Sequence, residues 1–239
     1  MKGYAEDLAY VHDRGFGDFA RKASPGLLEL LRENDVGAGS VVDLGCGSGI
    51  WARALTDAGY AVLGIDGSAA MVALARKQAP RAYFRRGSFM DAKLPRCDAI
   101  TALGEVFNYT FDPRARRGAL PRLFKTLHVA LRPGGLLIFD VAGPDRARGT
   151  SRTFVEGKDW TILYERENDA RLRRLTRRVT VFRKRGSLWR RSDEVHVQEL
   201  HRPAEIARSL RAAGFRVRYL RNYGSLRFPK GLTAFVARR

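Results

Sequence analysis

The sequence predicts an α/β fold: a doubly wound, largely parallel sheet with an antiparallel β insertion placed late in the chain. Three observations predict it. From Val41 to Asp140, short apolar strand-like runs alternate with helical periods, the pattern of βα units that cover a sheet on both faces. The first of these runs ends in a glycine-rich turn that opens a helix, Val41-Val42-Asp43-Leu44-Gly45-Cys46-Gly47-Ser48-Gly49. After Asp140 the texture changes to short, polar-flanked strands joined by turn residues.

Length and composition narrow the class. A chain of 239 residues with 45% apolar residues forms one large domain, or one domain with an insertion. No apolar run approaches the length of a membrane span, and Met1-Lys2-Gly3-Tyr4 and the residues after it lack the core of a signal peptide. Cys46 and Cys97 make no disulfide framework and have no metal-ligand spacing, so a reducing, cytoplasmic setting is expected. The net charge of +19 fits either a polyanionic partner such as nucleic acid or an arginine-rich set of solvated faces. The second reading is favoured because the charge is not gathered into one short basic block.

Ahead of the first strand, residues Tyr10 to Phe19 are aromatic, polar and punctuated by Gly15 and Gly17, which suits a lid more than a core helix. Ser24-Pro25 then reads as a helix start, with Leu27, Leu28, Leu30 and Leu31 as its apolar side. In the glycine turn, three glycines permit a tight bend and a close ligand approach. A second apolar run follows and ends in Asp66, about where a βαβ nucleoside site places the acid that holds a ribose diol. The spacing is not the dinucleotide form, because the third glycine of that form would fall at Ile50. Asp43, two residues before Gly45, would repel a pyrophosphate but suits a ligand carrying an ammonium and a sulfonium.

These residues resemble the class I S-adenosylmethionine-dependent methyltransferases. The first motif of that family is similar to Val41–Gly49, and the second to Gly64-Ile65-Asp66-Gly67-Ser68. The elements that follow keep the pattern. Ile50 to Ala58 is a helix stopped by Gly59, and Ser68 caps a helix that buries Met71, Val72 and Leu74 before Pro80. Tyr83-Phe84 opens a third strand, and the segment after it resembles the third family motif, with Ser88 where an acid usually stands. Cys97 to Leu103 is a fourth strand. A helix from about Arg114 to Ala130 leads through Leu131-Arg132-Pro133-Gly134-Gly135, a turn typical of the superfamily, into a fifth.

Four insertion strands are expected around Thr153, at Trp160 to Tyr164, at Leu172 to Phe182 and at Leu188 to Leu200, with turns at Asn168-Asp169 and Lys184-Arg185-Gly186. Arg171, Arg173, Arg174, Arg177, Arg178, Arg183, Arg190 and Arg191 crowd this region. Alternation sends some outward and others toward the site, and an exposed charged face is expected. A helix from Pro203 to Ala213 and two strands near 215–223 and 231–237 close the sheet.

The resemblance implies a Rossmann-like, doubly wound, seven-stranded sheet. It implies an N-terminal lid over 1–34, a core over 35–145 and 201–239, and a cap over 150–200. The cofactor implied is S-adenosylmethionine, released as S-adenosylhomocysteine. Asp43, Gly45, Cys46, Gly47 and Gly49 would hold its methionine portion, with Leu103 and Gly104 at the ammonium. Asp66, Gly67 and Ser68 would hold the ribose; Met71, Ser88 and Phe89 the adenine. Glu105, Tyr109 and His12 are the candidate catalytic residues, and Tyr10 and Asn108 the candidate acceptor contacts. Glu105 would be a general base or an orienting acceptor. No metal is expected. The acceptor expected is a small molecule, an anionic one if the arginines face it. RNA is the rival, and a non-catalytic cofactor-binding protein a third reading. No base-methyltransferase tetrad follows the fourth strand, where Leu103-Gly104-Glu105-Val106 stands.

Overall fold

The structure is a computed structural model that describes residues 3–115, 118–146 and 149–239. Five strands run parallel: β1 (Ser40–Leu44), β2 (Ala61–Asp66), β3 (Tyr83–Arg86), β4 (Cys97–Ala102) and β5 (Leu131–Ala142). Two more, β10 (Arg216–Leu220) and β13 (Leu232–Arg238), complete a seven-stranded sheet in the order β10-β13-β5-β4-β1-β2-β3, with β13 antiparallel to both its neighbours. The order reverses at β1, where successive crossovers turn to opposite edges. A ligand crevice opens at such a point, beyond the carboxyl ends of β1 and β4.

Strand alternation divides the core into two layers. Val41, Ile138 and Val236 face one side, against α2 (Asp18–Glu33), α3 (Ile50–Asp57) and α4 (Ala69–Gln78). Val42, Leu137 and Phe235 face the other, against α5 (Leu120–Ala130) and α6 (Pro203–Ala212). Between β5 and α6 stands the antiparallel cap: β6 (Thr150–Gly157), β7 (Trp160–Asp169), β8 (Arg174–Arg185) and β9 (Leu188–Glu199), paired in chain order. The short hairpin β11 (Asn222–Tyr223) and β12 (Leu226–Arg227) lies between β10 and β13.

The chain departs from the sequence reading in four places. The segment expected as an irregular lid is helical in part, α1 (Glu6–Gly15), because Leu8 and Val11 find apolar partners in Trp160, Ile162, Val179 and Val181 of the cap. Helix α2 starts at Asp18 and not at Ser24, and it runs through Pro25. An interior proline costs roughly 3 kcal/mol. Burial of Ala23 and Leu27 offsets it, together with the packing of Gly26 on the β11 turn, where a Cβ would lie 2.2 Å from the Gly224 nitrogen. Helix α5 begins at Leu120, with Pro121 in its first turn, and not at Arg114; residues 116–117 of the expected span lie outside the described residues. Strand β8 starts at Arg174 and not at Leu172, because Arg173 takes φ +52° in the preceding turn and the Leu172 amide donates to Asp169 Oδ1.

Alternation also splits the arginine run. The side chains of Arg173, Arg177 and Arg183 are only 20%, 20% and 12% exposed, while Arg174 and Arg178 are exposed. Arg183, Arg185 and Arg190 hold the acids that open α1: Arg190 Nε lies 2.7 Å from Asp7 Oδ2, and Arg185 pairs with Glu6. The N-terminal helix is thereby fastened to the cap.

Candidate functional site

At the carboxyl ends of β1, β2, β4 and β5 a cavity of about 510 Å³ is closed by α1 on one side and by the cap on another. Its floor is the glycine turn. Gly47 takes φ +53° and faces open space, so no side chain comes between its backbone and the cavity. Its amide donates to Asp66 Oδ2 at 3.0 Å, and the Ser68 amide donates to Asp66 Oδ1 at 2.8 Å. Asp66 therefore shapes the turn while also lining the cavity. Ser68 caps α4, accepting from the Met71 amide, and its hydroxyl donates to the Tyr4 carbonyl, which ties the N-terminal segment down over the site.

The carboxylates here are buried, and burial disfavours their charged forms. Asp43 is pushed up to about 7 by burial, against the pull of the Thr101 hydroxyl that donates to it at 2.7 Å. Thr101 is itself held by Trp51 Nε1 at 3.1 Å. Asp140, at the end of β5, is also pushed up to about 7 by burial, although the Gly104 and Glu105 amides donate to it. Asp66 is raised by burial as well. Three acids whose charged forms are disfavoured by burial suit a ligand that brings positive charge.

Of the residues expected at a cofactor, Asp43, Gly45, Cys46, Gly47, Asp66, Gly67, Ser68, Met71, Phe89, Leu103 and Gly104 all line this cavity. Gly49 and Ser88 do not. Gly49 lies against the backbone of Ala75 and serves helix packing. The Ser88 hydroxyl accepts from the Met90 amide and closes the loop after β3. Beside it stands Asp112, which sequence reasoning missed. Its side chain is buried; burial raises it, but the Ser88 hydroxyl and Arg114, whose amide donates to Oδ1, outweigh burial and hold it below the usual carboxylate range, while Oδ2 has no hydrogen-bond partner among the described residues. An unpartnered acceptor on the wall of a cavity leaves room for a donor from a water or a ligand.

Across the cavity, the candidate catalytic residues Glu105, Tyr109 and His12 come together with Tyr4 and His196. The Tyr4 and Tyr109 hydroxyls lie 3.0 Å apart, and Arg177 Nη1 donates to Tyr109 at 3.2 Å. Burial, then the neighbouring Tyr109, raises the Tyr4 hydroxyl far above the usual phenol range, so it stays protonated. His12 is pushed down to about 4 by burial, so it is neutral, and its buried Nδ1 has no hydrogen-bond partner among the described residues. His196 Nε2 lies 2.9 Å from Glu194 Oε2, a carboxylate that also receives the Tyr4 and Ala5 amides.

Glu105 sits at φ +64° with its carboxylate enclosed. Burial raises it, but Arg177 and Arg146 outweigh burial and hold it below the usual carboxylate range. Arg146 Nε donates at 2.7 Å, Arg177 Nη2 at 2.9 Å and Gln198 Nε2 at 2.9 Å.

Tyr10 and Asn108, expected at the acceptor, lie off this cavity. Tyr10 donates to Asp159 and lies under the Arg183 guanidinium, fastening α1 to the cap. Asn108 is fully buried; its amide group donates to the Ala142 and Glu199 carbonyls and accepts from the Ala142 amide, joining β5 to the end of the cap. Tyr4, Arg177 and His196 line the cavity where those two do not; the arginine run pointed to Arg177 only as one of eight, and nothing local singled out Tyr4 or His196. Each depends on a contact across more than 60 residues of chain.

Comparison with known proteins places this geometry among enzymes. A family profile described as a methyltransferase domain matches residues 11–220. A glycine/sarcosine N-methyltransferase of Parasynechococcus marenigrum (strain WH8102) is 32% identical over 164 residues, which is 65% of this chain and 56% of that protein. The chain thus spans about half the length of the first relatives it matches. A dTDP-3-amino-3,4,6-trideoxy-α-D-glucopyranose N,N-dimethyltransferase of Streptomyces venezuelae is 27% identical over 226 residues, covering 91% of this chain and 93% of that one. Among solved structures, an S-adenosylmethionine-dependent methyltransferase from Clostridium acetobutylicum ATCC 824 superposes with a TM-score of 0.81 at 19% identity, over 97% of each chain.

Proposed function

The chain belongs to the class I methyltransferase family, and from that membership we propose that it transfers a methyl group from S-adenosylmethionine to an amine nitrogen of a small polar molecule. The observation that carries this reading is the juxtaposition, in one cavity, of the glycine turn with its acids and of the Tyr4–Tyr109 hydroxyl pair. When bound, the cofactor supplies an electrophilic methyl on a sulfonium, open to direct in-line attack.

The chain's own residues fit that donor. Gly47 and Gly104 both have positive φ and face open space, so their backbone can lie against a ligand. Asp43 and Asp140 answer an ammonium, and Asp66 a ribose diol. The orphaned Asp112 Oδ2 is the acceptor we assign to the adenine amino group, in place of the acid that Ser88 replaces.

The other end of the cavity suits an amine. Tyr4, Tyr109 and Phe16 put aromatic rings on its wall, and an aromatic wall attracts an ammonium. The Tyr4 and Tyr109 hydroxyls and the neutral His12 ring orient the amine by accepting its N–H bonds, leaving its lone pair to face the methyl. The Glu194–His196 pair on the same wall offers a route for the proton the nitrogen sheds. Helix α1 and the cap exclude water, which keeps the two reactants at attack distance. Two relatives named as N-methyltransferases, one acting on glycine or sarcosine and one on an amino sugar nucleotide, support the same acceptor class.

The test is incubation with methyl-labelled S-adenosylmethionine and a host extract split into metabolite, protein and RNA fractions. Label on nitrogen in the metabolite fraction is the expected result. Label only on oxygen, or label in the RNA fraction, overturns the reading.

A further inference from the structure

Arginines 166 and 177 stand directly opposite each other on β7 and β8. Both belong to the cap face that lines the cavity. Like charges placed opposite each other across an antiparallel pair destabilise a sheet. Arg177 is relieved by Glu105, but the same carboxylate also serves Arg146, which lines the cavity too. Three guanidinium groups therefore stand on this wall, and the Glu105 carboxylate holds only two of them. Glu105 is already held ionised, so it has no further charge to give.

Arg166 is the group left over. Its Nε donates to the Ser151 hydroxyl at 3.2 Å, and its guanidinium lies 5.8 Å from the centre of the Tyr164 ring. Among the described residues no carboxylate lies within 4 Å of it. The side chain is half-buried, with its two terminal nitrogens uncommitted to any acid. A planar fork with parallel N–H bonds, partly withdrawn from water and facing a cavity, matches a carboxylate or a phosphate in two-point contact.

We propose that Arg166 forms an anion subsite for the acceptor. It fixes a carboxylate or phosphate group of that molecule on the cap wall, while the amine end reaches Tyr4 and Tyr109. Arg146 and Arg177 add to the positive field there. The inference rests on the reading of this cavity as a methyltransfer site and narrows it: the acceptor is anionic as well as an amine.

The experiment is a calorimetric titration of the full chain, first saturated with S-adenosylhomocysteine, with inorganic phosphate and separately with sodium acetate. The expected result is saturable binding of at least one anion in the millimolar range, weakened about tenfold or more by Arg166→Gln and less by Arg166→Lys. Tighter phosphate binding marks a phosphorylated acceptor, and tighter acetate binding a carboxylated one. Unchanged affinity of Arg166→Gln for S-adenosylhomocysteine shows that the variant is folded at the site. Binding of neither anion, or equal binding by Arg166→Gln and the parent chain, overturns the subsite. Failure of the parent chain to bind S-adenosylhomocysteine at all overturns the methyltransfer reading beneath it, and the two failures are read in separate titrations.

Discussion

Arg177 Nη2 donates to Glu105 Oε2 at 2.9 Å and joins the loop after β4 to a cap strand 72 residues further along the chain. The same carboxylate holds Arg146 and Gln198, so donors from three separate segments meet on it. Sequence alone makes Glu105 a candidate general base. A carboxylate whose lone pairs are taken by two guanidiniums and an amide, and whose affinity for protons is lowered by them, is poorly placed to remove a proton. It is better placed to set the distance between the cap and the glycine turn.

Glu105→Gln therefore acts first on stability. Removing one partner of a buried ion pair strands the other, and here it strands two arginines, so a loss of about 3 kcal/mol is expected in urea unfolding. The double variant with Arg177→Met should lose less than the sum of the single changes, by about 1 kcal/mol or more. Strict additivity would show that the pair is not coupled and that the carboxylate is free for chemistry.

Asp112→Ala tests the adenine contact. If Asp112 Oδ2 accepts the adenine amino group, S-adenosylhomocysteine should bind the variant about tenfold more weakly or worse. The parent chain should also discriminate strongly against an analogue carrying hypoxanthine, which presents an oxygen where adenine presents an amino group. The variant should lose that discrimination. Equal discrimination by both proteins would remove Asp112 from the site.

The difference between Asp66 and Asp112 shows where sequence carries information and where it does not. The glycine turn, Asp66 and the Ser68 cap are set by spacing within two successive βα units, so their placement can be read locally. Asp112 follows β4 by ten residues in a loop with no periodicity, and what distinguishes it is an oxygen that folding leaves unpaired. Helix α1 escaped a local reading for a related reason. Leu8 and Val11 look like a weak apolar stripe until Trp160 and Val179 arrive from the cap. Alternation along β8 separates Arg177 from Arg178, but it does not say which face turns inward. That is decided by Glu105, which stands on another element.

The latch between α1 and the cap is open to the same kind of test. Asp7 is buried and accepts from Arg190 and Arg183, and with Glu6 it answers three arginines. Asp7→Asn removes the charge but keeps the shape, and a loss of about 2 kcal/mol is expected for charge-assisted bonds of this kind. The loss should be local. Backbone amides of α1 should exchange with deuterium faster, while those of β1, β4 and β5 keep their protection. A uniform rise in exchange over the whole chain would mean that α1 is part of the global core and not a separable lid.

Binding of the cofactor should depend on pH through Asp43. Its folded-state value of about 7 lies above its ordinary value of 3.8, because burial disfavours the charge. The neutral acid therefore contributes stability to the ligand-free protein that is fully present below 3.8 and is lost as pH rises through about 7. A ligand ammonium reverses the preference, since it needs the carboxylate. Below about pH 7 the protein must release a proton to bind, and affinity for S-adenosylhomocysteine should climb with pH by up to about tenfold per unit before levelling off. Asp140, raised to a similar value by burial, adds to the slope if it too faces the ammonium. Asp43→Asn should bind more weakly at pH 8 and lose much of the pH dependence, because the amide has no proton to give up. Calorimetry in two buffers of different ionisation enthalpy counts the protons released. A parent chain whose affinity is flat between about pH 6 and pH 8, with no proton released, would show that Asp43 keeps its charge state on binding and is not the partner of the ammonium.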